Sequence, residues 1–327
     1  DLAAWRAEHH AVYEPRLSPD GERVAAPILK EEEVFSVCVN GELWPDEYEK
    51  AWQLRFLPDG RLFALLRLDD MWTVGLDGER WEGEWDFAWN PKIQPDGGVA
   101  MQVKEGMDYA LALDDNAWEQ GYQSLRDFCV SPDGKRMAAT AQLEEVPEAD
   151  IWKFFQGSWG LVVDGKPWDG RYISIYSPCF SPDSASVAAV VRTDIAEYTV
   201  AVDGAMWEQR FGMLWEPSFR PDGGGVVVPA KVEGGWTLVH DGQPLWNGRY
   251  VQLWRQRFSP DGQRLAAVVA PAYGRWTIAV DDTPWRNTFS GAVLPPSYSP
   301  DGQRLAALAV DNGAWNLVVD DTPWQGG

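Results

Sequence analysis

Short apolar runs, each closed by a proline turn and followed by another run, recur along the whole chain. Eight Pro-Asp pairs mark these turns, with prolines at Pro19, Pro58, Pro95, Pro132, Pro182, Pro221, Pro260 and Pro300. Successive intervals are 39, 37, 37, 50, 39, 39 and 40 residues, so one unit is repeated eight times. The seventh unit shows the pattern clearly. Arg257-Phe258-Ser259 leads into Pro260-Asp261-Gly262, where proline presets φ and glycine accepts a positive φ. Arg264 to Val269 reads as a second strand, and Trp276-Thr277-Ile278-Ala279-Val280 alternates as a third. Asp281-Asp282 supplies another turn, and Trp285 starts the fourth strand.

Four short strands per unit predict an all-β chain: a single eight-bladed β-propeller of four-stranded antiparallel blades, one domain over residues 1–327. A tryptophan stands fourteen residues before the turn proline at Trp5, Trp44, Trp81, Trp118, Trp168, Trp207 and Trp246, and fifteen before it at Trp285. Residues ahead of Pro19 therefore read as a fourth strand with no first three before them. The expectation is that roughly Trp5 to Tyr13 completes the last blade and closes the ring, which removes open sheet edges. Trp5 and Trp324 then compete for one site, which Trp5 is expected to hold.

The unit resembles the TolB-like repeat, a relative of the WD repeat, whose core is Ser-Pro-Asp-Gly followed by a basic or polar pair and an apolar strand. Ser18-Pro19-Asp20-Gly21, Ser131-Pro132-Asp133-Gly134, Ser259-Pro260-Asp261-Gly262 and Ser299-Pro300-Asp301-Gly302 match in full. Leu57, Gln94, Ser184 and Arg220 are single departures in the other four turns. The resemblance implies a propeller serving as scaffold, receptor or, less commonly, enzyme. TolB itself works through protein contacts, but has six blades where eight repeats are counted here.

Charge narrows the partners. The net charge of −22 repels phosphate backbones and anionic membranes, so nucleic acid is not an expected partner. No apolar run reaches the roughly 18 residues of a membrane span, so a soluble chain without membrane insertion is expected. Three cysteines without zinc-type spacing argue against a disulfide framework and favour a cytoplasmic over a periplasmic setting. The chain begins at Asp1 without a methionine, a start compatible with a missing natural N-terminus and a removed signal peptide, so the compartment stays open at this point.

The Pro-Asp and Asp-Gly turns lie at one end of every blade. The opposite end carries the variable connections, where binding usually sits. Six residues before each turn proline stand Tyr13, Trp52, Trp89, Arg126, Tyr176, Trp215, Trp254 and Leu294. The six aromatics are expected to ring a channel mouth, unless they pack between blades. Three residues before the proline stand Arg16, Arg55, Lys92 and Arg257, a basic set in an acidic protein. The fourth unit carries an insert within Ala141 to Gly157, with Trp152, Phe154 and Phe155 beside Glu144, Glu145, Glu148 and Asp150.

Catalytic signals are weak. His9, His10 and His240 are not placed to build a three-histidine metal site, so no metal and no cofactor is expected. Nucleophile elbow, Walker and dinucleotide motifs are missing from the sequence. The repeated aspartates read as turn chemistry rather than calcium ligands. The expected function is a non-catalytic, monomeric scaffold binding a protein or peptide through the aromatic and basic positions. The alternatives are a receptor for a small anionic ligand in the channel and a lyase- or hydrolase-type propeller.

Overall fold

The structure, a computed structural model, describes residues 2–146 and 150–324, so Glu148 of the insert lies outside the described residues. Eight antiparallel sheets follow one another along the chain, matching an eight-bladed β-propeller. Each is a four-strand meander, as in blade 2: Lys50–Phe56, Leu62–Leu68, Met71–Leu76 and Glu79–Arg80. In blades 1 and 6 the first strand is split into two short pieces, Ala11–Val12 with Arg16–Leu17 and Met213–Leu214 with Ser218–Phe219. The chain divides into two compact units: residues 1–125, with blades 1 to 3, and residues 126–327, with blades 4 to 8.

Two carboxylate devices explain the repeated turns. In the Ser-Pro-Asp-Gly turn, Ser18 Oγ donates to Asp20 Oδ1 (2.5 Å) and accepts from Arg23 N (2.9 Å), while Asp20 Oδ1 accepts from Glu22 N (3.0 Å). Gly21 adopts φ 76°, the left-handed region that glycine enters without a Cβ clash. At the second turn, one side-chain oxygen accepts the N–H that opens the second strand. The partners are Asn40, Asp77, Asp114, Asp164, Asp203, Asp241, Asp281 and Asp320, all at 2.8–3.0 Å. Backbone donors thus engage the recurrent aspartates, as turn chemistry requires.

Aromatic residues hold neighbouring blades together. The tryptophan after the two-residue fourth strand packs on the next blade: Trp44 lies among Leu62, Ala64 and Leu66, and Trp246 beside Leu265 and Ala267. Four residues later a second aromatic bridges back to the start of the third strand, giving pairs such as Phe35–Tyr48, Trp72–Trp85 and Trp236–Tyr250. A further aspartate then caps the departing chain of the preceding blade. Asp115 accepts from Glu82 N (2.7 Å) and Gly83 N (2.8 Å), and Asp321 accepts from Arg286 N (2.8 Å) and Asn287 N (3.0 Å).

The expected N-terminal clasp is not what forms. Leu2–Glu8 is a helix, Ala11–Val12 pairs within blade 1, and blade 8 builds all four strands from Ser297–Tyr298, Leu305–Asp311, Ala314–Val319 and Thr322–Pro323. Pairing preference explains the difference. The segment before Pro19 already has a partner in Val24–Glu31, just across its own turn, and that local hairpin closes a short loop at low entropic cost. Trp5 is nevertheless buried, against Ala26, Ile28 and Cys38 of blade 1 and 3.6 Å from a Cβ built on Gly41. It fills, from a helix, the kind of place that Trp44 fills on blade 2, while Trp324 is left exposed at 61%.

Candidate binding site

The first strand of several blades carries a bulge, and the bulge gives the two candidate positions a common face. Trp52 pairs with Leu65 and Arg55 with Phe63, so three steps on one strand match two on the other. The intervening Gln53 takes φ 51°. Leu65 and Phe63 project to the same side of the sheet, hence so do Trp52 and Arg55. The same shift separates Trp89 from Lys92, Tyr176 from Cys179, and Trp254 from Arg257.

Five of the candidate aromatics are placed beside an aromatic near the start of the third strand of their own blade. Tyr13 meets Phe35 (5.7 Å between centroids), Trp52 stacks on Trp72 (6.3 Å), and Trp89 meets Tyr109 edge-on (5.9 Å). In residues 126–327, Trp215 stacks on Trp236 (5.4 Å) and Trp254 tilts against Trp276 (4.9 Å). Arg126 replaces the aromatic in blade 4, its guanidinium lying 4.0 Å over the Trp159 ring.

Exposure divides the six. Tyr176, Trp215 and Trp254 are half-buried and pack into the clusters shared with the following blade. Tyr176 Oη also donates to Leu214 O of blade 6 (3.1 Å), and burial raises its phenol pKa well above the ordinary value. Trp89 is half-buried as well. Tyr13 and Trp52 stand free of such packing, at 46% and 58% exposure.

Tyr13 and Trp52 share a cavity of about 430 Å³ with Phe35, Pro27, Ala51, Leu54, Gln53, Glu14, Arg16 and Lys50. Three aromatic and three aliphatic residues make most of its lining, the composition of sites that seat an apolar side chain or ring. Cations surround it. Lys50 Nζ lies 5.5 Å over the Trp52 ring, and Arg16 pairs with Glu14 (2.9 Å). Arg55 lies over Phe63 (5.8 Å), and burial together with the neighbouring Arg16 charge lowers its pKa. A second, more open cavity of about 510 Å³ lies in blade 3, lined by Asp86, Phe87, Trp89, Lys104 and Tyr109.

The unpaired cations stand out. Most cations of residues 1–125 have carboxylate partners: Arg23 with Asp77, Lys30 with Glu47, Arg61 with Asp59, Arg67 with Glu49 and Asp70, and Arg80 with Asp46 and Glu84. Lys50, Arg55 and Lys104 have no carboxylate within ion-pair reach among the described residues. They rest instead on Trp52, Phe63 and Tyr109. Lys92, half-buried, lies on the first strand of blade 3, and Arg257, exposed, on that of blade 7.

Lys50, Phe35, Phe87 and Lys104 were not among the sequence candidates. Lys50-x-Trp52 and Phe87-x-Trp89 carry the signal, since alternate residues of a strand share a face. The blade 4 insert forms a helix, Ile151–Gln156, capped by Asp150, with Trp152 at 80% and Phe154 at 43% exposure. His240 ends the third strand of blade 6 beside Asp241 (3.4 Å) and Gly224 O (2.6 Å). Cys38, Cys129 and Cys179 all pack in hydrophobic clusters, and burial pushes the Cys179 thiol up to about 12.

No protein-family model matches the chain, and no curated protein matches it. Solved structures do resemble it. A eukaryotic initiation factor aligns at a TM-score of 0.53 and 12% identity, covering 97% of this chain and 89% of that one. A putative TolB from Agrobacterium tumefaciens aligns at 0.37 and 15%, covering 75% and 83%. The β-propeller domain of the trilobed protease from Pyrococcus furiosus aligns at 0.38 and 14%, covering 82% and 94%. At these identities the likeness concerns the fold alone.

Proposed function

We propose that this protein is a non-catalytic, TolB-like propeller that binds an acidic peptide segment of a partner protein on the aromatic and cationic surface of blades 1 to 3. The supporting observation is the cavity between Tyr13 and Trp52, bordered by Lys50 and near Arg55, two cations without carboxylate partners. In a chain of net charge −22, cations left without carboxylates, Lys50 over the exposed Trp52 ring and Arg55 over the buried Phe63 ring, suit an anionic ligand, which charge-assisted bonds would hold. Exposed Trp and Tyr beside Arg are also the residue types that dominate binding hot spots.

Panning a random peptide library against the purified protein tests this reading, with Trp52→Ala and Lys50→Glu proteins as counter-screens. The expected result is enrichment of acidic sequences with apolar residues, losing at least tenfold in affinity on either variant. Enrichment of basic sequences, or affinities unchanged in both variants, would overturn it. A free carboxylate such as acetate competing as well as the peptides would assign the site to small anions instead.

A further inference from the structure

The aromatic surface of residues 1–125 continues past the first cavity. Trp52 and Phe87 are exposed, at 58% and 47%, and they flank the buried Trp72, whose ring is 6.3 Å from the first and 5.8 Å from the second. Each exposed ring borders its own cavity, of about 430 Å³ and about 510 Å³ respectively. Each also has its own lysine. Lys50 lies over Trp52, and Lys104 stands opposite Phe87 in the strand ladder of blade 3, resting on Tyr109. Neither lysine has a carboxylate partner among the described residues, although the chain has 50 acidic residues. The arrangement is therefore a doubled one: ring, cavity and unpaired cation, repeated on two successive blades.

We infer that this surface reads an extended acidic peptide at two points, through apolar side chains four residues apart that seat on Trp52 and Phe87. The inference rests on the peptide-binding reading above and adds the spacing and the second anchor. The two ring-to-ring steps set an upper limit of about 12 Å on the Trp52–Phe87 separation, so four residues of an extended chain rising about 3.3 Å per residue, about 13 Å, is the longest even spacing the two rings can take. Side chains at even spacing project to one face of such a chain, so both anchors can point at the protein. Acidic residues next to each anchor meet Lys50 and Lys104. Two linked anchors bind more tightly than either alone, because the second contact forms at high effective concentration.

Fluorescence polarisation with labelled twelve-residue peptides tests the spacing. The probe carries two leucines four residues apart, each with a neighbouring glutamate. Comparison peptides place the leucines three apart, omit one leucine, or replace the glutamates with glutamine. The four-residue spacing is expected to bind at least tenfold more tightly than the single-leucine peptide. Trp52→Ala and Phe87→Ala should each reduce the two-leucine peptide to the single-leucine level, with circular dichroism confirming that both variants remain folded. The glutamine peptide should bind more weakly and lose its salt dependence. Equal affinity for one and two leucines, or for spacings of three and four, would overturn the two-anchor inference while leaving acidic-peptide binding in place. Failure of every acidic peptide to bind the folded protein would overturn both.

Discussion

The indole of Trp44 lies against Gly75, so close that a Cβ built on the glycine would stand 2.7 Å from Trp44 Cζ3 and 2.6 Å from Leu66 Cδ1. Trp44 leaves blade 1 at its fourth strand and Gly75 sits in the third strand of blade 2, so this contact joins consecutive blades. Both partners are buried, and the missing side chain on one makes room for the ring of the other. Gly75→Ala is expected to overpack the contact and cost about 1–3 kcal/mol. Chemical denaturation of the variant measures it; an unchanged midpoint would mean the ring shifts freely.

Trp5 gives a related prediction with a different origin. It is 5% exposed and packs on Ala26, Ile28 and Cys38 from a helix that adds no strand to any sheet. Trp5→Ala should cost about 3–5 kcal/mol, as other large-to-small core changes do. Replacing His9 and His10, which follow the helix, should have little effect. The reverse ranking in denaturant titrations would contradict this assignment.

The repeat was readable in the sequence because each turn is specified locally. Pro presets φ, Gly262 and Gly302 sit at φ 70° and 71°, and each aspartate reaches a backbone donor two residues away or across one hairpin. The same local signals could not show which strand the N-terminal segment joins, since its fourth-strand pattern also fits a first strand opposite Val24–Glu31. The second interblade aromatic was present at fixed spacing, as in Trp44 and Tyr48 or Trp246 and Tyr250, but its role needs the bridge to the third strand to be visible. Exposure was the least legible quantity. Trp52 and Trp254 occupy equivalent sequence positions, and only the packing on the following blade distinguishes them.

Asp281 should tolerate asparagine better than alanine. Its carboxylate accepts from Leu265 N at 2.8 Å, and its backbone is at φ 46°, a region that Asn and Asp enter more readily than other side chains. Blade 1 already uses Asn40 there, bonded to Val24 N at 2.8 Å. Asp281→Asn is expected within about 0.5 kcal/mol of the parent, and Asp281→Ala to cost about 1–3 kcal/mol for the lost acceptor and the strain. Thermal melting of both proteins separates the two; equal melting temperatures would remove the clip from the account.

Acid should loosen the first-turn carboxylates together. Hydrogen bonds from Ser18, Ser131, Ser181, Ser259 and Ser299 lower the pKa of Asp20, Asp133, Asp183, Asp261 and Asp301, and the Arg220 fork takes Asp222 to about 2. A pKa lower in the folded than in the unfolded chain means the stabilisation is present above about pH 4, the unfolded value. It is lost as pH falls through the folded value. Stability should therefore decline from about pH 4 towards about pH 2, and Ser259→Ala should shrink that dependence. Melting curves across this range provide the check, with a flat profile contradicting it.

Trp52 and Trp254 supply the sharpest contrast between binding and packing. Trp52 is 58% exposed, borders the cavity of about 430 Å³, and stacks on Trp72 at 6.3 Å. Trp254 is half-buried, 4.9 Å from Trp276, and belongs to the cluster joining blades 7 and 8 through Phe289, Val293 and Leu305. Replacing an exposed ring removes contact area with a ligand but leaves no internal void, whereas truncating a ring within a cluster opens a cavity. Trp254→Ala should cost about 2–4 kcal/mol of stability and leave peptide affinity unchanged. Trp52→Ala should do the opposite, with a melting temperature near the parent and affinity at least tenfold weaker. Measuring both quantities on both variants decides between them. If Trp52→Ala destabilises as strongly as Trp254→Ala, its ring is a packing element and the binding surface must be sought elsewhere.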